Sequence, residues 1–256
     1  MALLLSGIGG TSRLCAQDGR MLDRIAHVAL RVSEVAQSRT FYTTLGWRPA
    51  FEFSGNQGVT TSYVKVSDRK CTELYRTNKP EEPLGFMNIC LEIADIDRLS
   101  VAYTTLGLTP TETKKDRSGN VQFNLRDPEG QVIEYTQYLP GSLHSNVRGK
   151  FVDPAHISNH MIPVVQRVTD VSVEKAFSTG KLGVAGSGHK LGVPGNPAEA
   201  IELKTQAATA TPELGFAADP MLAAEERKKR ALEVKLAGDA AVFRDPDGAV
   251  ISFSEL

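Results

Sequence analysis

The chain has 256 residues, 41% hydrophobic and 23% charged, with a formal net charge of -1. That balance gives no electrostatic reason to expect nucleic acid or an anionic membrane as partner, and no apolar run approaches the roughly eighteen residues that span a bilayer. Three cysteines, Cys15, Cys71 and Cys90, have neither metal-type spacing nor enough thiols for a disulfide framework. Cys71 and Cys90 fall in expected strands and read as small buried hydrophobes.

Residues 1–20 stand apart. A short apolar run, Ala2–Gly10, precedes Leu14-Cys15-Ala16-Gln17, which resembles the end of an export signal but lacks a basic start. The stretch is an export-signal remnant or a leader expected to be disordered. The location is therefore cytoplasmic, or periplasmic or secreted if the signal reading holds.

From Ile25 to Val32 the side chains alternate as in a half-buried strand, placing His27, Ala29 and Arg31 on one face. The period then becomes helical, with Val35, Phe41 and Leu45 as its apolar stripe and Gly46 as the stop. Strands are expected over 48–53, 60–66 and 71–76. The unit then repeats: Phe86–Ile96 reads against Ile25–Val35, and 97–107 against 36–46. His27 to Asn88, Leu45 to Leu106 and Glu73 to Glu134 are each separated by 61 residues. Three landmarks in one register define an internal repeat of strand, helix and three strands. The later strands of the second unit are expected over 109–115, 121–125 and 131–138. The turn before the last is Arg126-Asp127-Pro128-Glu129-Gly130, where Pro presets φ and Gly accepts a positive one.

Residues 139–156 show no period and read as a linker, with His144 exposed in it. The pattern then returns in worn form. Arg167–Val171 repeats Arg31–Val35, and Lys181-Leu182-Gly183 closes a helix. The Gly-rich stretch 186–197 replaces a hairpin, and Ala200–Lys204 resembles Cys71–Tyr75. A helix over Met221–Leu232 and the turn Arg244-Asp245-Pro246-Asp247-Gly248, 118 residues beyond its earlier copy, mark a fourth unit ending in a strand over 249–253. The basic run Arg227–Arg230 on that helix reads as a solvated face, and His189 as a loop residue. The organisation expected is a leader (1–20), a first pair of units (22–138), a linker (139–156) and a second, degenerate pair (157–256).

His27 in the first strand, Phe41-Tyr42 before Leu45-Gly46, and Arg126–Gly130 ahead of Glu134 together resemble the vicinal oxygen chelate superfamily. It includes glyoxalase I, bleomycin- and fosfomycin-resistance proteins, methylmalonyl-CoA epimerase and extradiol dioxygenases. The resemblance is strong over 22–138 and weak over 157–256. It implies an α+β fold of four βαβββ modules in two pairs, each pair a curled mixed sheet around a cavity. It also implies a metal site drawn from the first and last strand of each module: His27, Glu73, Asn88 and Glu134. In the second pair the same positions fall near Pro163, Glu202, Glu213 and Ser252, a set that cannot hold a metal tightly. The second pair is accordingly expected to be structural or to cover the substrate.

The implied chemistry is a divalent metal (Fe²⁺, Mn²⁺, Ni²⁺ or Zn²⁺) chelating two neighbouring oxygens of a small molecule, for lyase, isomerase or dioxygenase reactions. An oxygen-rich donor set favours Mn²⁺, Fe²⁺ or Mg²⁺ over structural Zn²⁺. Glu73 or Glu134 would be the catalytic base. Arg31, Tyr63 and Asn88 are candidates for holding substrate, and Tyr75 and Tyr135 could line the same cavity, with core packing or exposed strand faces as the alternatives. Asn88 departs from the family, which usually carries His or Glu there, so a metal-free protein that sequesters a small molecule is the competing expectation. A structural or docking role for the second pair is a third. The partner expected is a small molecule, with a homodimer compatible and no membrane span.

Overall fold

A computed structural model describes residues 21–56, 58–153, 164–205, 213–217, 225, 235–237 and 240–254. The first unit comprises β1 (Leu22–Val32), α1 (Val35–Thr44), β2 (Arg48–Gly55), β3 (Gly58–Ser67) and β4 (Lys70–Arg76). The second comprises β5 (Gly85–Ile93), α2 (Ile96–Thr105), β6 (Lys114–Lys115), β7 (Val121–Arg126) and β8 (Val132–Gln137). A short helix α3 (Leu143–Asn146) follows, then β9 (Val164–Val168), α4 (Val171–Phe177) running into a π-helical turn (Ser178–Leu182), and β10 (Ala185–Ser187), β11 (Lys190–Val193) and β12 (Asn196–Thr205). The last strands are β13 (Glu213–Ala217), β14 (Lys235–Ala237), β15 (Ala240–Arg244) and β16 (Val250–Ser254). Residues 1–20, His156, His160, Pro163, most of the expected helix over Met221–Leu232 and the basic run Arg227–Arg230 lie outside the described residues.

The architecture is α+β: two mixed, eight-stranded sheets ordered β2-β3-β4-β1-β5-β8-β7-β6 and β10-β11-β12-β9-β13-β16-β15-β14. In each, the first strand of a unit pairs in parallel with its last (β1 with β4, β5 with β8, β9 with β12, β13 with β16), and the two first strands meet antiparallel at the centre. Flat, an eight-stranded sheet would hold its edges roughly 34 Å apart. Here Arg117, just after edge strand β6, stands 4.3 Å over the ring of Phe53 in edge strand β2. The first sheet has curled until its edges meet.

Alternation divides each strand between two faces. Ile25, Val28, Leu30, Leu74, Ile89, Leu91, Ile133 and Tyr135 face α1 and α2 in a core that continues into the second sheet through Leu214, Phe216, Ile251 and Phe253. Trp47 lies 4.5 Å from Phe216, and the Tyr103 hydroxyl donates to the Leu182 carbonyl. Helix α1 stops where Gly46 adopts φ 85°, the left-handed conformation that a β-carbon disfavours. Among the described residues no helix is long and apolar enough to cross a membrane.

Three expectations need correction. Of the strand expected over 109–115 only Lys114–Lys115 is strand, because residues 109–113 meet β7 through the bonds between Thr111 and Asn124 alone. The Gly-rich stretch after Gly183 does not replace a hairpin but forms one, β10 with β11. The stretch read as a linker contains α3, and His144 within it is buried rather than exposed.

Candidate metal and ligand site

The concave face of the first sheet carries the polar set. One cross-strand row reads Lys65 (β3), Cys71 (β4), His27 (β1), Cys90 (β5), Glu134 (β8) and Asn124 (β7). The adjacent row reads Tyr63, Glu73, Ala29, Asn88 and Val132. Because side chains on one strand face recur every two residues, both rows point the same way, with only the methyl of Ala29 between Glu73 and Asn88.

These registers bring three of the expected residues together. His27 Nε2 lies 3.4 Å from Glu73 Oε1 and 3.5 Å from Glu134 Oε1. His27 is 2% exposed, and neither ring nitrogen makes a hydrogen bond among the described residues. The Tyr63 and Tyr75 hydroxyls stand beside Glu73 and favour its ionised form. Burial alone would lower the His27 imidazolium, but the carboxylates of Glu73 and Glu134 outweigh it and raise the group to about 9. Burial pushes Glu73 up to about 7 against the pull of His27. Glu134 is also subject to burial, yet the adjoining His27 holds it below the usual carboxylate range. Burial likewise raises the Cys90 thiol well above its ordinary value and that of Cys71 to about 12, so both are protonated.

Asn88 occupies the neighbouring row, opposite Ala29, and its buried Nδ2 lacks a partner. Arg31 is drawn elsewhere: its guanidinium reaches the Pro83 carbonyl at 3.1 Å and Glu82 at 3.5 Å. Tyr135 lies on the opposite sheet face, stacked 4.9 Å from Phe123 in the core.

Sequence reasoning missed His144. It is 6% exposed, stacked 4.6 Å from Tyr138 and edge-on to Phe51 and Tyr63, and its ring lies 6.4 Å from that of His27. Asn120 Nδ2 lies 2.8 Å and Ser118 Oγ 3.2 Å from its Nδ1, while Nε2 is buried without a partner. Burial, then the nearby His27 and Lys65, lower it to about 3, so the ring is neutral. The one available signal was the Ser142 N-cap of α3, which accepts from Ser145 N and marks a helix start inside an aperiodic stretch.

One potential ligand atom each from His27, Glu73 and His144 lie within 4.8 Å of one another, and the same holds for His27, Cys90 and Glu134. Buried ring nitrogens without hydrogen-bond partners beside two carboxylates supply the mixed nitrogen and oxygen donors a divalent ion takes, so the residues present fit such an ion. Among the described residues the second sheet offers no comparable set. Glu213 is taken up by Arg167 and Lys204, and Glu202 and Ser252 are half-buried without such neighbours.

A cavity of about 300 Å³ opens onto Glu73 and Glu134. Phe53, Thr61, Tyr63 and Tyr75 line it from β2, β3 and β4, and Lys114, Lys115, Arg117 and Gln122 from the other edge. Of the three residues expected to hold substrate, only Tyr63 is in this lining.

Residues 24–135 match the model of the Glyoxalase/Bleomycin resistance protein/Dioxygenase superfamily. No curated protein matches the chain. Among solved structures, the 2,3-dioxygenase LapB from Pseudomonas sp. KL28 is similar at 15% identity and TM-score 0.68, over 91% of this chain and 92% of that one. The Mn(II)-bound glyoxalase from Novosphingobium aromaticivorans is similar at 18% identity and TM-score 0.64, over 92% and 83%. Homoprotocatechuate 2,3-dioxygenase from Arthrobacter globiformis is similar at 16% identity and TM-score 0.63, over 92% and 80%. Identities this low speak to the fold.

Proposed function

We propose, from the match of residues 24–135 to the Glyoxalase/Bleomycin resistance protein/Dioxygenase superfamily model, that the chain is a metal-dependent enzyme acting on a small oxygen-rich molecule in the first-sheet cavity. The observation that carries this reading is the convergence of Glu73 and Glu134 on a buried His27 whose ring nitrogens make no hydrogen bond. His27, Glu73 and Glu134 would hold the ion, with His144 and the amide of Asn88 as further donors within or beside the set. When bound, a divalent ion supplies charge for two adjacent substrate oxygens, the chemistry common to lyase, isomerase and dioxygenase reactions.

The chain's own residues do the rest. Glu73, poised near neutrality, can take or return a proton at its carboxylate, and the Tyr63 and Tyr75 hydroxyls orient it. Glu134 stays ionised and faces the cavity. Phe53 and the tyrosines exclude water from one wall.

Metal analysis of the purified protein, after incubation with Mn²⁺, Fe²⁺, Ni²⁺ and Zn²⁺ and desalting, tests the reading. Wild type should retain about one equivalent of one of these ions and His27→Ala less than about a tenth. Wild type below that level with all four would sink it.

A metal-free binding protein is the second reading, favoured by two observations. An amide stands at position 88, and a His27 raised to about 9 compensates the carboxylates without any ion. Retained binding of a small molecule by metal-free wild type and by His27→Ala alike would decide for it.

A further inference from the structure

We propose a second ligand site, outside the first-sheet cavity, for an aliphatic monocarboxylate: a short unbranched chain with one anionic end. It lies where the two sheets meet. Leu84, Phe86 and Met87 around the start of β5, with the turn from Arg126 to Val132, form one side. Val165 and Arg167 of β9 form the other. The volume between them is about 490 Å³, within the range of small-molecule sites. No lining residue is shared with the cavity over Glu73 and Glu134, so this site goes beyond the proposed function and does not depend on it. Its apolar walls select a chain. Leu84, Met87, Val132 and Val165 are aliphatic or thioether side chains, and Phe86 is the one ring among them, so no pair of rings makes a slot for a flat molecule. Met87 is flexible and polarisable and moulds to an extended chain. Leu84, 40% exposed, is one of five large hydrophobic side chains left exposed among the described residues. Methylene groups laid over it and over the half-buried Phe86, Met87 and Val132 would take that apolar surface out of water.

The charged groups around the cavity select the anionic end. Glu129 is committed to the start of α4, where its Oε1 accepts from Thr169 N, Thr169 Oγ1 and Asp170 N. Arg167 is paired with Glu213 at 3.2 Å. Arg126, by contrast, forms no ion pair among the described residues. Its Nη1 donates to the Gly130 carbonyl at 2.6 Å, which holds the guanidinium at the cavity rim and uses one of its N–H donors. The donors that remain match the two oxygens of a carboxylate. Gln131 Nε2 donates to the Arg167 carbonyl and so ties the two walls together. The site is therefore formed before a ligand arrives, which lowers the cost of binding.

Calorimetric titration of metal-free protein with octanoate, 1-octanol and acetate separates chain from charge. The alcohol lacks the charge and acetate lacks the chain. Octanoate should bind about tenfold more tightly than either, its advantage over the alcohol shrinking between about 50 and 500 mM NaCl. Arg126→Gln should bring octanoate to within about twofold of 1-octanol. Because Arg126 also braces its turn through Gly130, Leu84→Asp is the second variant, made at a side chain already exposed. It sets a like charge at the cavity edge and should weaken octanoate about tenfold, with the circular dichroism spectrum and Tm of wild type. Lys114→Ala/Lys115→Ala/Arg117→Ala, on the rim of the other cavity, should bind octanoate as wild type does. The site is overturned by no octanoate binding up to about 10 mM, or by affinity unchanged in both Arg126→Gln and Leu84→Asp. Binding lost in the triple variant and kept in Arg126→Gln overturns it as well. Equal affinity for octanoate and 1-octanol overturns the anionic end, and acetate as tight as octanoate overturns the chain. None of these measurements involves metal uptake, so failure of the proposed function would show separately, as wild type that retains no ion.

Discussion

His27 and His144 show how two residues of one type acquire opposite states a few ångströms apart. Both are buried, and burial disfavours the charged ring in each. Two carboxylates reverse that at His27, whereas at His144 the nearby cations His27 and Lys65 reinforce it. A neutral imidazole held at Nδ1 can contribute a nitrogen to an ion shared with His27 and Glu73. His144→Phe should therefore weaken Mn²⁺ affinity by about tenfold while the protein stays folded, read by metal titration beside circular dichroism. Unchanged Mn²⁺ affinity would reduce His144 to a packing residue. Glu174 gives a separate test of burial. It is 1% exposed on α4, its Oε1 accepts from the Ser178 hydroxyl, and burial followed by the nearby Asp127 raises it to about 7. Its folded value lies above the ordinary carboxylate value, so the folded state holds the proton more tightly. The stability this confers is complete at acid pH and is lost as pH rises through about 7. Glu174→Gln should raise Tm relative to wild type by about 2–4 °C at pH 8 and leave it nearly unchanged at pH 4, measured by calorimetry.

At the scale of elements, the two D-P-x-G turns do more than reverse the chain. Asp127 organises the first turn by accepting from Glu129 N and Gln131 N, and Asp245 repeats this with Asp247 N and Ala249 N. Each turn then reaches the other sheet's unit. Asp127 Oδ2 accepts from Gln166 Nε2, and Glu129 accepts from Thr169 N, Thr169 Oγ1 and Asp170 N at the start of α4. Asp245 Oδ2 accepts from the Tyr42 hydroxyl, and Asp247 from Ser33 N and Ser33 Oγ at the start of α1. Helix α1 needs this help, because its own N-cap residue, Glu34, makes no side-chain capping bond. The turn carboxylate supplies an acceptor and a negative charge at the positive end of the helix. Asp247→Ala and Glu129→Ala should each cost about 1–2 kcal/mol in denaturant unfolding, where a surface substitution with no such contact stays within about 0.5 kcal/mol. The 118-residue offset made the turns visible as repeats. Their partners lie up to 214 residues away in the chain and had no sequence signal.

Across the whole molecule, the start of β1 is the seam between the two sheets. Gly195 N donates to the Leu22 carbonyl at 2.9 Å, and a β-carbon on Gly195 would stand 2.6 Å from the Asp23 carbonyl oxygen and closer still to that of Leu22. Buried Glu199 accepts from Ile25 N and pairs with Lys70. Backbone on both sides leaves nothing to yield, so Gly195→Val should destabilise by about 2–4 kcal/mol, read as a lower denaturant midpoint. An unchanged midpoint would mean that the seam is loose. Since His27 lies on the same strand as these contacts, the second sheet braces that strand, and among the described residues it adds no ligand group to the His27 cluster.

The alternation of β1 and the 61-residue period marked the repeated module, and the family resemblance read from them implied the mixed α+β fold and a shared site for His27, Glu73 and Glu134. A repeated unit carries equal sequence positions to equivalent places in each module, and the antiparallel meeting of β1 with β5 then sets those places side by side. Tertiary structure decided what has no period. Curling brought the edge strands together, setting Lys114, Lys115 and Arg117 opposite Phe53 and Tyr75. Packing buried His144 beneath Tyr63 and Tyr138, and an ion pair with Glu82 drew Arg31 out of the cavity lining. Those outcomes depend on contacts between segments far apart in the chain, whose free energy is set by shape and burial and leaves no local pattern to read.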